Sequence, residues 1–169
     1  VCHYLDMPIQ HINDTMLKRM GRQTTRAELT DKIAHLKQEI PDITLRTTLI
    51  AGFPGETQEM HEELMYFLNE TEFDRLGAFT YSPEEGTPAA GFTDQLAEEQ
   101  KEAWRDDIME LQEEIICDKN EGMKNQELWV MIEGSMEGAH AYVGRTYRDA
   151  PEIDGYIFID TSATLMTGD

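Results

Sequence analysis

Ile43-Thr44-Leu45-Arg46-Thr47-Thr48-Leu49-Ile50-Ala51-Gly52-Phe53-Pro54-Gly55-Glu56-Thr57 decides the fold. Its first eight residues are β-branched or apolar almost throughout, so they predict a strand over 43–50. Gly52-Phe53-Pro54-Gly55-Glu56 is a turn, and Thr57 can cap a helix whose apolar stripe is Met60, Leu64, Phe67 and Leu68. Strand, glycine turn and helix make half of a β-α-β unit.

Both flanks complete it. Upstream, Thr25 with Glu28 three residues on is a capping box. It opens a helix with Leu29, Ile33, Leu36 and Ile40 on one side, stopped by Pro41. Before that, Tyr4-Leu5-Asp6-Met7-Pro8-Ile9-Gln10 reads as a short buried strand ending in a turn. Asn13 then caps a short helix through Met16, Leu17 and Met20. Downstream, Arg75-Leu76-Gly77-Ala78-Phe79-Thr80-Tyr81 is a third strand, followed by the turn-rich Ser82-Pro83-Glu84-Glu85-Gly86-Thr87-Pro88. The pattern β-α-β-α-β predicts an α/β fold with a parallel sheet and right-handed crossovers. The polar and Gly/Pro residues gather where each strand ends, the edge at which such folds build sites.

Three strands do not close a barrel, and buried parallel strands need neighbours on both sides. The expectation is therefore that further strands precede residue 1. Val1-Cys2-His3-Tyr4-Leu5 has neither an initiator Met nor a signal-peptide pattern and reads as an excised start. After the third strand, a long helix is expected from about Thr93 to Asn120, with Leu96, Trp104, Ile108, Leu111 and Ile115 on one face. Short strands follow at Glu127–Ile132, Ala141–Arg145 and Gly155–Ile159, separated by Gly-bearing turns, as in a small antiparallel β-barrel that is incomplete here. The expected domains are a barrel part at 1–92, a connecting helix at 93–121 and a β domain at 122–169.

The 169 residues carry 14 Lys+Arg against 34 Asp+Glu, a formal charge of −20. The charge is uneven. Residues 1–56 hold seven acids and seven bases; residues 57–121 hold nineteen and four; residues 122–169 hold eight and three. So acidic a chain is a poor phosphate binder, and its later part suits a basic partner, unless the acids are simply solvated helix faces. No apolar run approaches the ~20 residues of a membrane span. Cys2 and Cys117 cannot make a disulfide framework or a four-ligand zinc site, which fits a reducing compartment.

Few residues announce chemistry. The Gly52–Thr57 turn allows close backbone approach to a ligand, or is a purely structural turn. Gln10 and His11 are polar loop residues or hydrogen-bond a polar ligand such as a ribose. Arg46 lies in a buried-looking strand and needs a carboxylate from the protein or from a ligand. Tyr81 packs or contacts a cofactor. His3, His11, His35, His61 and His140 show no metal spacing; His35 and His61 read as surface or packing residues.

Tyr4–His11, Leu17–Arg22, Arg46–Thr57 and Tyr81–Thr87, taken in order and spacing, resemble the radical-SAM methylthiotransferases over essentially the whole chain. Within that family, Glu84-Glu85 stand where the tRNA-modifying enzymes have Arg-Pro. Gly144-Arg145-Thr146-Tyr147-Arg148-Asp149-Ala150-Pro151-Glu152-Ile153-Asp154-Gly155 resembles the terminal TRAM domain of the branch that methylthiolates an aspartate of small-subunit ribosomal protein twelve. The resemblance implies the C-terminal half of a partial (β/α) barrel binding S-adenosylmethionine against a 4Fe-4S cluster. It also implies cleavage to a deoxyadenosyl radical, hydrogen abstraction, and sulfur and methyl transfer aided by a second cluster. It places Gln10 near the ribose, Gly52 and Phe53 on the adenine side, Arg46 at the methionine carboxylate and Tyr81 at the last strand's mouth.

The family's cluster-binding CxxxCxxC is absent, and neither Cys2 nor Cys117 matches it. The expectation is a catalytic enzyme as the full-length protein, with this stretch inactive alone, holding no cluster and supplying part of the cofactor pocket and of a dock for a basic ribosomal protein in the cytoplasm. Direct binding of nucleic acid or membrane is not expected. A tRNA methylthiotransferase and a non-catalytic acidic binding module are the alternatives.

Overall fold

The computed structural model describes residues 2–136 and 141–169. His140 lies outside the described residues. The chain divides into two compact units, Leu5–Gly122 and Met123–Asp169, the latter grouped with the amino-terminal residues up to Tyr4.

The first unit is built on a sheet ordered β1-β2-β3, from β1 (Tyr4–Asp6), β2 (Thr44–Ala51) and β3 (Arg75–Thr80). Strands β2 and β3 are parallel, with Arg46 beside Arg75, Thr48 beside Gly77 and Ile50 beside Phe79. Between the strands lie α1 (Asp14–Arg19), α2 (Arg26–Glu39) and α3 (Gln58–Thr71). Each helix begins where the sequence expects: Asn13 caps α1, Thr25 and Glu28 form a capping box on α2, and Thr57 accepts from the Met60 amide on α3. Each such cap satisfies amides with no intrahelical partner, a contribution of about 1 kcal/mol.

Strand β2 alternates. Leu45, Thr47, Leu49 and Ala51 are buried on one face, against the helices. Arg46, Thr48 and Ile50 are half-buried on the other. The helical side carries the core, where Leu45 and Leu49 meet Leu64, Leu68 and Phe73. Each fully buried side chain of this size contributes roughly 1.5–3 kcal/mol. Helix α4 (Glu98–Gly122) belongs to the same core through Trp104 and Ile108.

Strand β1 is shorter than the predicted strand through Gln10. Pro8 has no amide to donate, so regular pairing stops before it. The chain rejoins β2 at one parallel bridge between Gln10 and Leu49. The Thr47 hydroxyl spans the interruption, donating to the Met7 carbonyl at 3.0 Å and accepting from the Ile9 amide at 3.3 Å. Helix α4 starts at Glu98, later than Thr93. Pro88–Gly91 form a short 3-10 turn instead, and Asp94 is bound to Arg19.

The carboxyl end of α3 collects cations. Lys37 donates to the Thr71 carbonyl, and Lys119 Nζ reaches the Glu72 carbonyl at 2.6 Å and Asp74 Oδ1 at 2.9 Å. Positive charge there complements the helix dipole. Burial pulls the Lys37 ammonium below its usual range, helped by Lys119.

The second unit is an antiparallel sheet ordered β4-β5-β6, from β4 (Met131–Ser135), β5 (Ala141–Arg145) and β6 (Ile157–Asp160). Strand β4 begins four residues later than predicted. Met131 already pairs with Arg145, the last residue of β5, so the residues before it lie beyond the end of that partner; Trp129 is 95% exposed. Gly144 has no room for a side chain: a Cβ would sit 2.6 Å from Val130 Cγ1 and 2.7 Å from the Met131 carbonyl oxygen. The turn after it is closed by Asp149, which accepts from the Thr146 amide at 3.0 Å and hydroxyl at 2.7 Å. The final residues run beside β4, with Gly168 donating to Ile132 at 2.8 Å and Ile132 to Asp169 at 2.9 Å.

Candidate functional site

The face of β2 turned away from the helices carries Thr48 and Ile50. With Gln10, Phe53, Phe79 and Tyr81 they line a groove of about 450 Å³, within the usual range for small-molecule sites. It lies at the carboxyl ends of parallel strands. Ile50, Phe53 and Phe79 make it largely apolar, and Gln10, Thr48 and Tyr81 bring polar groups.

Gln10 holds φ 70, an uncommon conformation for a residue with a side chain. The strain is held by two backbone bonds, Gln10 N to Thr48 O at 2.9 Å and Ile50 N to Gln10 O at 3.0 Å.

Beside it lies a buried polar pair. His11 Nε2 is 3.2 Å from Glu56 Oε1, and both side chains are closed to solvent. His11 Nδ1 accepts from the Ile12 and Asn13 amides, each at 2.9 Å, so the ring proton sits on Nε2 and is donated to Glu56. The other Glu56 oxygen accepts from the Gly52 amide at 2.7 Å and the Phe53 amide at 3.2 Å. The Gly52–Glu56 turn is fastened at its far side too. Arg19 Nε donates to the Pro54 carbonyl at 3.1 Å, its Nη2 grips both Asp94 oxygens at 2.8 Å, and the Gly55 amide donates to the Asp94 carbonyl at 2.9 Å.

Phe53 and Tyr81 meet edge to face at 5.1 Å. Lys101, buried on α4, donates to the Tyr81 carbonyl at 3.1 Å and to Glu98 Oε2 at 3.0 Å, and lies 5.6 Å from the centre of the Tyr81 ring. The Tyr81 hydroxyl is buried without a hydrogen-bond partner among the described residues. A buried hydroxyl without a partner is costly, and this one belongs to a residue that lines the groove.

Of the residues read from the sequence, Gln10, Phe53 and Tyr81 are brought together. Gly52 supports them from behind, packed on Lys101. Arg46 shares the Thr48 face but sits two residues lower, with its guanidinium 2.7 Å from Asp6. The protein carboxylate within its reach is that of Asp6. Of the two readings of His11, its buried ring, with both nitrogens hydrogen-bonded inside the protein, favours a structural role in the loop. His35 is exposed, and His61 is a packing residue stacked on Trp104 at 4.9 Å. Lys101 and the Arg19–Asp94 clasp escape sequence reading. Lys101 does extend the α4 apolar stripe back three residues from Trp104, the one signal that marks it.

Cys2 and Cys117 are exposed free thiols. Among the described residues no group of three or more His, Cys, Asp or Glu side chains is placed to hold a metal, so they do not fit an iron-sulfur cluster. No helix among the described residues is long and apolar enough to cross a membrane.

Comparison places this arrangement. A solved structure titled coproporphyrinogen III oxidase (HemN) from Escherichia coli, a radical SAM enzyme, overlays 86% of this chain and 41% of its own at TM-score 0.57 and 16% identity. That likeness makes the fold one used by radical SAM enzymes. Residues 126–169 match the TRAM domain model. The fold is thus a parallel α/β unit like part of that structure, followed by a β domain that matches the TRAM model. The whole chain is 53% identical to the ribosomal protein uS12 methylthiotransferase RimO of Lachnoclostridium phytofermentans and 47% identical to that of Desulfitobacterium hafniense. Along its whole length the chain is thus similar to enzymes of that name. The chain spans 38% of the length of these relatives.

Proposed function

We propose that this chain supplies one wall of an S-adenosylmethionine site, and a substrate dock, in an enzyme that methylthiolates an aspartate of ribosomal protein uS12. The observation that carries the reading is a groove at the strand ends lined by Gln10, Ile50, Phe53 and Tyr81, whose buried hydroxyl has no partner among the described residues, in a chain alike along its whole length to enzymes of that name.

Bound S-adenosylmethionine supplies the methyl group and the adenosyl carbon chemistry of such enzymes. The chain's own part is positional. Ile50 and Phe53 offer an apolar surface for a purine, and the Gln10 side chain and Tyr81 hydroxyl supply polar contacts for the sugar or amino-acid part. Lys101 holds the Tyr81 backbone in place. Iron-sulfur chemistry belongs to residues outside those described. The acidic residues 122–169, net −5 from eight acids and three bases, suit a strongly basic ribosomal protein rather than an RNA backbone.

The test uses the complete gene product after anaerobic cluster reconstitution, given either uS12 or unmodified tRNA with S-adenosylmethionine. A gain of one methylthio group on a uS12 aspartate, seen by peptide mass spectrometry, is expected. Modification of the tRNA in place of uS12 would overturn the substrate assignment.

A further inference from the structure

We infer that His11 and Glu56 are positioning residues: a buried clasp that sets the Gly52–Phe53 backbone, and with it the Phe53 wall, against the Gln10 loop. The inference rests on the groove being the S-adenosylmethionine site, because it assigns the pair its role in affinity.

The geometry is specific. Each partner of the clasp is tied to backbone next to a groove residue. His11 follows Gln10 and accepts the next two amides at 2.9 Å, so its imidazole has one remaining hydrogen, aimed at Glu56. Glu56 takes that hydrogen on one oxygen and the Gly52 and Phe53 amides on the other. With both side chains at 0% exposure, water cannot replace either partner. Gln10 itself is already pinned to β2 by two backbone bonds. Cutting the clasp therefore removes the hydrogen bonds that fix the Gly52 and Phe53 amides, leaving that side held by ring packing, by the Glu56 amide on the Phe53 carbonyl, and by the fastenings at Pro54 and Gly55.

Two substitutions separate local capping from the link between loops. His11→Asn keeps a short acceptor for the following amides, as in an Asx turn, but does not reach Glu56. His11→Gln reaches Glu56 and gives up the cap. Glu56→Gln removes the charge while keeping the shape.

The experiment uses the complete gene product labelled with 15N at Gly and Phe, titrated with S-adenosylmethionine and unfolded in urea. Losing a hydrogen bond to a charged group corresponds to about tenfold in affinity. His11→Asn and Glu56→Gln are expected to weaken binding by about that factor, to shift the Gly52 and Phe53 amide signals, and to stay folded. The double variant is expected to be no worse than either single, and His11→Gln to retain most of the affinity. Unmoved amide signals in His11→Asn, or losses that add in the double variant, would overturn the inference. If the wild type binds no S-adenosylmethionine, the reading of the groove fails, and the amide shifts alone decide the clasp. If His11→Asn does not fold, Glu56→Gln and His11→Gln carry the same comparison.

Discussion

Gly52 packs against Lys101 so closely that a Cβ on Gly52 would lie 2.3 Å from Lys101 Cγ, and the Gly52 backbone holds φ +73. The glycine is required twice, once for its conformation and once for space. Gly86 shares the first need, at φ +82, but nothing lies within 4 Å of its would-be Cβ. Gly86→Ala is therefore expected to cost about 1–2 kcal/mol, and Gly52→Ala about 1–3 kcal/mol more from overpacking. Urea unfolding of the two variants measures the difference; equal losses would contradict the packing account.

Tyr81 separates packing from binding. Its ring is wedged between Phe53 and Lys101, while its hydroxyl has no hydrogen-bond partner among the described residues. Tyr81→Phe should leave stability unchanged or slightly raised and weaken S-adenosylmethionine by roughly two- to tenfold, one neutral hydrogen bond. Calorimetric titration of the complete gene product reads the affinity. A large loss of stability with unchanged affinity would reverse the assignment.

His61 makes stability depend on pH. Burial pushes its imidazole below the usual 6.5, against the opposing pull of its Asp107 hydrogen bond at 3.2 Å. The unfolded chain then binds the extra proton more readily than the folded one. The stability from the neutral ring is complete above 6.5 and drains as pH falls toward the folded value. His61→Phe keeps a ring on Trp104 and cannot titrate. Its stability relative to wild type should improve as pH falls from about 7.5 to about 5.5. Thermal melts across that range test this, and a constant gap would contradict it.

Helix α3 ends on a residue in the wrong conformation for its type. Glu72 caps it at φ 50 and ψ 69, where glycine is customary. Its carbonyl, not its side chain, receives Lys119. Glu72→Gly is expected to stabilise the fold by about 0.5–1 kcal/mol, seen as a higher urea midpoint.

Much of this is legible in the chain. The β-branched run of β2 gives its strand, and Asn13, Thr25 and Thr57 mark the helix starts because caps are local devices. What escapes is what depends on distant partners. Pro8 cuts β1 short, yet the return to pairing at Gln10 needs Leu49 across the sheet. Glu127 to Val130 carry strand-like residues, but β5 ends before it can pair with them. In the site, Gln10, Phe53 and Tyr81 are readable because strand ends in parallel sheets converge. Lys101 is not, since a lysine amid glutamates reads as solvated until the fold sets it under Tyr81. For Arg46 the sequence leaves two partners open, and that the protein carboxylate is Asp6 needs β1 to lie beside β2.

The most direct measurement of the central claim is photo-crosslinking of an azido-adenine analogue of S-adenosylmethionine to the complete gene product, with peptide mapping of the adduct. The account predicts label on peptides bearing Phe53 or Tyr81, lost when unmodified S-adenosylmethionine is added. Competed label confined to peptides outside the strand ends of β1 to β3 would contradict it.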